Sequence, residues 1–352
     1  MKIMEKYIQI GNRKIGTGRP VFIIAEAGVN HNGNLKLAKK MVDSAKSSGA
    51  DAIKFQTFKA EKMATPDAPK ARYQESAVSS ESQFEMLKSL ELSEFDFVKL
   101  FNYCKKKKII FLSTPFDADS AEFLYKLSVP IFKISSGELT NTLLLLQIAK
   151  YGKPIILSTG MATMQEVKDA VRMIYSTGNK KLILLHCTSN YPARFVDLNL
   201  KAIKTLRKAF NIPVGYSDHT EGMHAAIYAI AMGACVIEKH FTLNRNFHGP
   251  DHKFSLEPKK LFEMIKNIRD IEKVIGNGIK IPAKSEDEIK KAARKSIVAD
   301  TDIRKGVRLT EDMVAFKRPG TGIEPKYLNR IIGRRLKFNI EKDRVFTWDL
   351  IR

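Results

Sequence analysis

The sequence predicts a (β/α)8 barrel, an α/β fold of the TIM type, followed by a small β-rich domain. Three observations carry this. Eight short apolar, β-branched runs occur in order; longer amphipathic stretches separate them; and beyond residue 275 the pattern changes to short strand-like pieces between turn signals. One α/β barrel takes about 250 residues, so a chain of 352 has room for a second unit. The competing α/β fold, a doubly wound sheet, usually announces a GxGxxG turn after its first strand. The run here is Gly28-Val29-Asn30-His31-Asn32-Gly33, which does not fit.

The strand runs are residues 21–27, 52–56, 109–114, 130–135, 154–159, 181–186, 212–216 and 235–240. Helix-like segments lie between them at 35–48, 94–107, 118–127, 143–150, 164–176, 199–210 and 223–232, and 261–275 reads as the closing helix. Gly276, Gly278 and Pro282, with a mixed charge cluster reaching Glu288, then read as a linker. The expected division is a barrel over 1–282, a linker over 283–292 and a second domain over 293–352. In that domain residues 296–299 and 313–316 are strand-like, and Lys305-Gly306 and Pro319-Gly320-Thr321-Gly322 are turn signals. A domain of about 60 residues is near the lower limit for folding alone, so it is expected to pack on its barrel or on a second subunit.

Composition narrows the function classes. Hydrophobic residues make up 44%, enough for a large core, which excludes a disordered chain. Three scattered cysteines, Cys104, Cys187 and Cys235, make neither a disulfide framework nor a CxxC zinc site and fit a reducing compartment. The first twenty residues lack the apolar run of a signal peptide, and no apolar stretch approaches the roughly 20 residues that span a bilayer. A soluble, cytoplasmic protein with no membrane partner is expected. Lys+Arg is 60 against Asp+Glu 38, a formal charge of +22. With no RNP motif, zinc-finger spacing or compact basic arm, the excess suits a small anionic substrate better than nucleic acid.

Chemistry in such a barrel gathers at the C-terminal ends of the strands. Those ends carry Glu26, Lys54 and Gln56, Thr114, Lys133 and Ser135, Ser158 and Thr159, His186, Ser217, and Glu238 with His240. Period-two alternation puts Lys54 with Gln56, Lys133 with Ser135, and Glu238 with His240 on common faces. A lysine inside an apolar strand is costly to bury unless paired, for example with Glu26 or Glu238, or met by an anion. Two of them converging on one mouth favour an anionic ligand. His219 and His240 follow neighbouring strands. They are either ligands for Mn²⁺, Mg²⁺ or Zn²⁺ completed by water and substrate oxygens, or one core and one exposed histidine. Asp251, in Gly249-Pro250-Asp251-His252, is a third ligand, a hydroxyl-binding group or a turn residue.

The motifs Ala25-Glu26-Ala27-Gly28-Val29-Asn30-His31-Asn32-Gly33, Lys54-Phe55-Gln56, Ser113-Thr114-Pro115-Phe116-Asp117 and Phe132-Lys133-Ile134-Ser135-Ser136-Gly137-Glu138 resemble those of the sialic acid synthase family. So do Leu157-Ser158-Thr159-Gly160-Met161, Gly215-Tyr216-Ser217-Asp218-His219-Thr220, Glu238-Lys239-His240-Phe241-Thr242 and Gly249-Pro250-Asp251-His252. The run Lys317-Arg318-Pro319-Gly320-Thr321-Gly322-Ile323 resembles that family's C-terminal antifreeze-like SAF domain, of β-clip type. The resemblance covers nearly the whole chain in order.

The resemblance implies an enzyme that condenses phosphoenolpyruvate with an N-acetylated amino-sugar aldehyde, giving a nine-carbon α-keto acid and phosphate. It implies that Lys54, Thr114, Lys133, Ser135, Ser158, Ser189, Tyr191 and Ser217 hold phosphoenolpyruvate. The family varies at the position of Ser189. It implies a divalent metal, Mn²⁺ or Mg²⁺, on His219 and His240, and places Glu26, Gln56, Glu138 and Asp251 around the sugar and reaction centre. Lys133, Glu26 and Glu138 are the expected catalytic residues. Arg318 matches an arginine presented to the partner's barrel, which implies a domain-swapped homodimer. N-acetylmannosamine, giving N-acetylneuraminate, is the first acceptor expected. The alternative is 2,4-diacetamido-2,4,6-trideoxymannose, giving a legionaminic acid, and its altrose isomer, giving pseudaminic acid, ranks third. A non-catalytic carbohydrate-binding protein would have lost these lysines and histidines, and all of them are present.

Overall fold

The computed structural model describes residues 7–11, 13–71, 74 and 82–352. The chain forms two compact units, Met1–Gly276 and Asn277–Arg352. In the first, a hairpin of β1 (Tyr7–Ile10) and β2 (Arg13–Gly16) precedes eight parallel strands. These are β3 (Phe22–Gly28), β4 (Ala52–Thr57), β5 (Ile110–Pro115), β6 (Phe132–Ile134), β7 (Ile155–Ser158), β8 (Leu182–Cys187), β9 (Val214–Asp218) and β10 (Val236–His240). Their spatial order, β5-β4-β3-β10-β9-β8-β7-β6, joins the last strand to the first and brings β5 beside β6 at the remaining seam. This is the (β/α)8 barrel, each expected strand in place.

Two layers of apolar side chains follow from strand alternation. Ile23, Ala25, Ile53, Phe55, Phe111, Leu157, Leu184 and Ile237 point outward and pack under the crossover helices. Phe22, Ile24, Ala52, Leu112, Ile156, Ile183, Leu185 and Val236 have the opposite parity and fill the barrel interior, where Ile10 and Ile15 of the hairpin join them. The first twenty residues, whose opening six lie outside the described ones, thus contribute an apolar plug. The inward positions nearer the strand ends continue the same parity with Glu26, Lys54, Thr114, Lys133, Ser158, Ser217 and Glu238. The barrel interior is therefore apolar at one end and polar at the other.

Polar caps fix where the helices begin after these polar ends. Ser93 accepts from Asp96 N at 3.1 Å, Asp117 from Ser120 N at 2.8 Å and Asn141 from Leu144 N at 3.3 Å. Thr163 and Glu166 form a reciprocal capping box. Among the described residues, the β4–β5 connection carries the helices Ala60–Met63 and Gln83–Leu90, which periodicity did not reveal. Their apolar faces join Val29 and Phe58 in a satellite cluster.

In the second unit β11 (Ser296–Ala299) pairs antiparallel with β12 (Val314–Lys317), and the rest of the sheet structure is isolated bridges such as Ile303–Ile340 and Arg308–Arg335. Ile297, Leu309, Ile323, Leu336 and Phe346 make its own core. The segment expected as a linker carries the helix Asp287–Ala293. No helix among the described residues is long and apolar enough to cross a membrane. All three cysteines are free and buried.

Candidate active site

The polar strand ends enclose a cavity of about 420 Å³. Lys54 and Lys133 stand in it at 4% and 2% exposure. Lys54 Nζ lies 2.9 Å from Glu26 Oε2 and 3.7 Å from Glu238 Oε2, and donates to Thr114 Oγ1 at 3.2 Å. Lys133 Nζ donates to Ser158 Oγ at 2.7 Å and to Ile134 O at 3.1 Å, and lies 3.6 Å from Glu238 Oε1. Ser217 Oγ donates to the same Glu238 oxygen at 2.9 Å. Glu238 thus bridges the two ammonium groups from the far side of the barrel.

Burial and charge set the protonation states. Burial pushes the Glu26 carboxyl up to about 7, against the pull of Lys54. Burial likewise raises Asp251 to about 7, opposed by Lys54. Burial opposes ionisation of Glu238, but Lys133, Lys54 and Ser217 outweigh it and hold that carboxyl below its ordinary value. Burial also works against charge on Lys54, yet Glu238 and Glu26 hold its ammonium above the ordinary range. Lys133 has the weaker compensation, and burial pushes it down. Glu238 is therefore the fixed counter-charge, while burial holds the Glu26 and Asp251 carboxyls well above the ordinary carboxylate range.

Gly28 makes room for that pair. It follows a register shift in the β3–β4 ladder and has φ +52°, a left-handed conformation that glycine adopts without strain. A Cβ there would lie 3.3 Å from Glu26 Oε1 and 3.6 Å from both Asp251 Oδ2 and Gln56 Nε2. Glu26, Gln56 and Asp251, carried on three different segments, thus converge on one glycine.

Opposite, Ser135, Ser136, Gly137, Ser158 and Ser189 form a hydroxyl-lined wall around Lys133. Ser135 Oγ is buried with no hydrogen-bond partner among the described residues. Gly160 N donates to Ser136 Oγ at 2.9 Å, and a Cβ on Gly160 would overlap Ser189 Oγ, Cys187 Sγ and Ser136 Oγ. A free hydroxyl beside a buried ammonium is the donor arrangement that an oxyanion-rich ligand requires.

The two histidines meet at the same mouth, ring centroids 5.6 Å apart. His219 Nδ1 lies 2.9 Å from the carbonyl oxygen of Thr188, which assigns the proton to Nδ1 and leaves Nε2 as an acceptor, 3.1 Å from Tyr191 Oη. His240 Nδ1 is buried without a hydrogen-bond partner among the described residues and lies 3.8 Å from Asp251 Oδ2. Burial lowers His219 to about 4, and burial together with His219 holds His240 well below the ordinary value, so both rings are neutral. Neutral imidazoles fit a divalent ion whose remaining positions come from water and substrate oxygens, with Tyr191 Oη holding the His219 Nε2 lone pair in the free protein. Among the described residues there is no group of three or more His, Cys, Asp and Glu side chains that could hold one. The donor set is thus two imidazoles, with Asp251 beside them.

The cavity is lined by Glu26, Lys54, Gln56, Thr114, Lys133, Ser135, Ser158, Ser189, Tyr191, Ser217, His219, His240 and Asp251. Two expected residues are not among those lining it. Glu138 lies on the turn after β6, half-buried, its Oε2 accepting from Asn141 Nδ2 at 2.6 Å, and it is not among the lining residues. Arg318 belongs to the second unit, where its Nε donates to Ala293 O at 3.0 Å. Glu238, the shared counter-ion, was missing from the expected site residues although its parity with His240 pointed to it. Met63, Met86, Leu87, Leu90, Val29 and Phe116 were missed altogether. They line the cavity with apolar side chains, largely from the β4–β5 connection, which also brings Gln74 and Gln83 to it.

The chain matches the NeuB family over residues 41–280. It belongs to that family. Residues 294–352 match the SAF domain. It is 46% identical to the N,N'-diacetyllegionaminic acid synthase of Legionella pneumophila, over 97% of this chain and 99% of that one. It is 48% identical to the synthase of the same name from Campylobacter jejuni, over 92% and 98%. A crystal structure of N-acetylneuraminic acid synthetase from Leptospira borgpetersenii, in complex with citrate, superposes with a TM-score of 0.74 at 38% identity, covering 82% of this chain and 96% of that one. The NeuB chain described here is accordingly an enzyme, a synthase of carbohydrate biosynthesis.

Proposed function

We propose that this NeuB-family enzyme condenses phosphoenolpyruvate with an open-chain, N-acetylated amino sugar, releasing phosphate. The observation that carries the reading is the convergence of Lys54, Lys133, His219 and His240 on one cavity. The two ammonium groups take the phosphate and carboxylate charge. Ser135, Ser158 and Ser189 supply hydroxyls, and Thr114, Tyr191 and Ser217 complete the phosphoenolpyruvate side. His219 and His240 hold Mn²⁺ or Mg²⁺, which when bound supplies Lewis-acid polarisation of the aldehyde oxygen. The methylene carbon of phosphoenolpyruvate forms the new bond to the aldehyde carbon as both π bonds open; the aldehyde oxygen takes a proton to become a hydroxyl, and the phosphate-bearing carbon becomes cationic. Water adds there, and phosphate departs by carbon–oxygen cleavage to leave the keto acid. Glu26 and Asp251, both near 7, are the groups able to take and return protons at that water, and Glu238 keeps its charge to stabilise the cation. Gln56 and Asp251 orient the sugar.

The acceptor we favour is the 2,4-diacetamido-2,4,6-trideoxy sugar of the legionaminic type, rather than N-acetylmannosamine. Met86, Leu87, Leu90 and Phe116 suit acetamido methyls and a deoxy end, while Gln74 and Gln83, which line the same cavity, offer amides to the acetamido groups. Identities of 46% and 48% to legionaminic acid synthases, against 38% to a neuraminic acid synthetase, point the same way. The reading includes a soluble, cytoplasmic homodimer in which Arg318 of one copy reaches the acceptor in the other. Light scattering with an Arg318→Ala variant tests that part: a dimer with a raised KM for the sugar is expected, and a monomer with an unchanged KM refutes it.

The deciding experiment follows phosphate release from phosphoenolpyruvate with each acceptor, with Mn²⁺ and after chelation. Metal-dependent turnover with the diacetamido sugar, exceeding that with N-acetylmannosamine by about 10–200-fold in kcat/KM, is expected from a few mismatched polar groups. The reverse ranking returns the neuraminate assignment, and no phosphate release with either refutes the function.

A further inference from the structure

We propose that the buried ion pair Lys239–Asp218, behind the cavity, is a positioning element that sets the spacing of the two imidazoles. The inference rests on the reading that His219 and His240 hold a divalent ion. Lys239 and Asp218 are register partners across β10 and β9, at 1% and 0% exposure. Their parity is opposite to that of Ser217, Glu238 and His240, and neither is a lining residue of the cavity. Lys239 Nζ donates to Asp218 Oδ2 at 2.9 Å and to Thr220 O at 2.6 Å. Asp218 Oδ1 accepts from Thr220 N at 2.9 Å and from Thr220 Oγ1 at 2.8 Å. Asp218, Thr220 and Lys239 therefore form a closed ring of hydrogen bonds.

The chain order gives this ring its consequence. Asp218 and Thr220 flank His219, and Lys239 immediately precedes His240. The ring thus grips the backbone on both sides of one imidazole and just before the other. Each ring nitrogen then reaches the cavity from a backbone tied to the other's, and His219 gains a further restraint from Thr188 O. A buried ion pair stabilises a fold no better than an apolar pair of similar size, so stability alone gives no reason for charge here. What the charges add is direction: the ammonium is held between two acceptors and the carboxylate saturates three donors. Groups behind metal ligands that fix their orientation commonly govern affinity as strongly as the ligands' own surroundings.

The test is Mn²⁺ binding to the substrate-free, full-length protein, followed by electron paramagnetic resonance of the unbound ion, beside thermal melts. The double variant Asp218→Asn/Lys239→Met leaves no orphan charge. It is expected to fold and to bind Mn²⁺ about 10–100-fold more weakly than wild type, while His240→Ala serves as the ligand-loss control. A folded double variant with wild-type Mn²⁺ affinity overturns the inference and leaves the metal reading standing. A wild-type protein that binds no Mn²⁺ overturns the metal reading, and the inference with it. If the double variant does not fold, Thr220→Val decides, because it deletes one donor to Asp218 and leaves both charges paired: a drop in Mn²⁺ affinity supports the inference and an unchanged affinity overturns it.

Discussion

Lys133→Met is the perturbation that bears most directly on the proposed anion site. Methionine keeps the length and apolar stem of lysine and removes only the ammonium group. In the free protein that ammonium donates to Ser158 Oγ and Ile134 O and lies 3.6 Å from Glu238. Removing one member of a buried pair costs about 3–5 kcal/mol when the other charge is stranded. Glu238 is not stranded, since it keeps Ser217 at 2.9 Å and Lys54 at 3.7 Å, and burial already disfavours the Lys133 charge. The loss of stability is therefore expected to stay below about 3 kcal/mol. Binding suffers more. An ammonium making two charge-assisted bonds to phosphoenolpyruvate, at about 1.5–3 kcal/mol each, contributes about 3–6 kcal/mol. At about 1.4 kcal/mol per tenfold, that is a 10²–10⁴-fold fall in kcat/KM for phosphoenolpyruvate. Phosphate release at saturating acceptor and Mn²⁺ measures it, and a melt measures the fold. Ser158→Ala, which deletes only the hydroxyl, sets the lower reference at about 0.5–1.5 kcal/mol. A folded Lys133→Met protein with kcat/KM close to wild type would refute the argument that this lysine meets the anion.

Further outcomes follow from neighbouring parts of the site. Gly160→Ala inserts a methyl against Ser136, Cys187 and Ser189; it is expected to raise the KM for phosphoenolpyruvate by about 5–150-fold, the equivalent of the 1–3 kcal/mol cost of overpacking, and an unchanged KM would show that the hydroxyl wall does not touch the ligand. Leu87→Gln puts a polar group among the apolar side chains of the cavity and should lower the preference for the diacetamido acceptor over N-acetylmannosamine; competition between the two sugars reads the ratio, and no change would remove those side chains from acceptor choice. Asp251 has its pKa raised to about 7 by burial, above its unfolded value near 3.8, so its stabilising contribution is fully present below that unfolded value and is lost as pH rises through about 7. Asp251→Asn carries no such loss. In chelator, its melting temperature relative to wild type should therefore be higher at pH 8 than at pH 5, and a constant difference would contradict the buried, protonated carboxyl.

How much of this was legible in the sequence depends on which physical signal each residue obeys. The eight strands were readable because burial on two faces demands short, continuous apolar runs. The inward parity of Lys54, Lys133 and His240 was readable because a strand alternates with a fixed period of two. The same rule applied to Glu238, which shares the parity of His240 and is the counter-charge of both lysines. Reading it as a possible structural partner hid its place in the cavity, although in a closed barrel the two descriptions coincide: an inward carboxylate at a strand end faces the cavity because it meets the lysines. The β1–β2 hairpin escaped notice for the opposite reason. Its two strands are four residues each, and the apolar alternation Ile8-Gln9-Ile10 and the single Ile15 beside Arg13 and Lys14 are too short to stand out as runs.

The apolar side chains of the cavity mark the limit of periodicity as a guide. Met86, Leu87 and Leu90 sit on a helix of eight residues in a long connection, too short for its spacing to stand out from chance. Nothing in local sequence says that such a helix turns its apolar side to a barrel mouth, because that is set by packing against Val29, Phe58 and Phe116 from other segments. On the function proposed above, the strand ends, bound to the barrel's geometry, carry the chemistry that every acceptor needs. The connection, bound only by its own packing, can change its side chains without disturbing a strand. A barrel organised this way keeps charge binding and proton transfer on its rigid parts and places acceptor selection where substitution costs the fold least. On that argument, exchanging the residues of the 83–90 helix for polar ones should alter which sugar is used before it alters how phosphoenolpyruvate is held. Separate KM values for the two substrates would show that order directly, and equal changes in both would refute it.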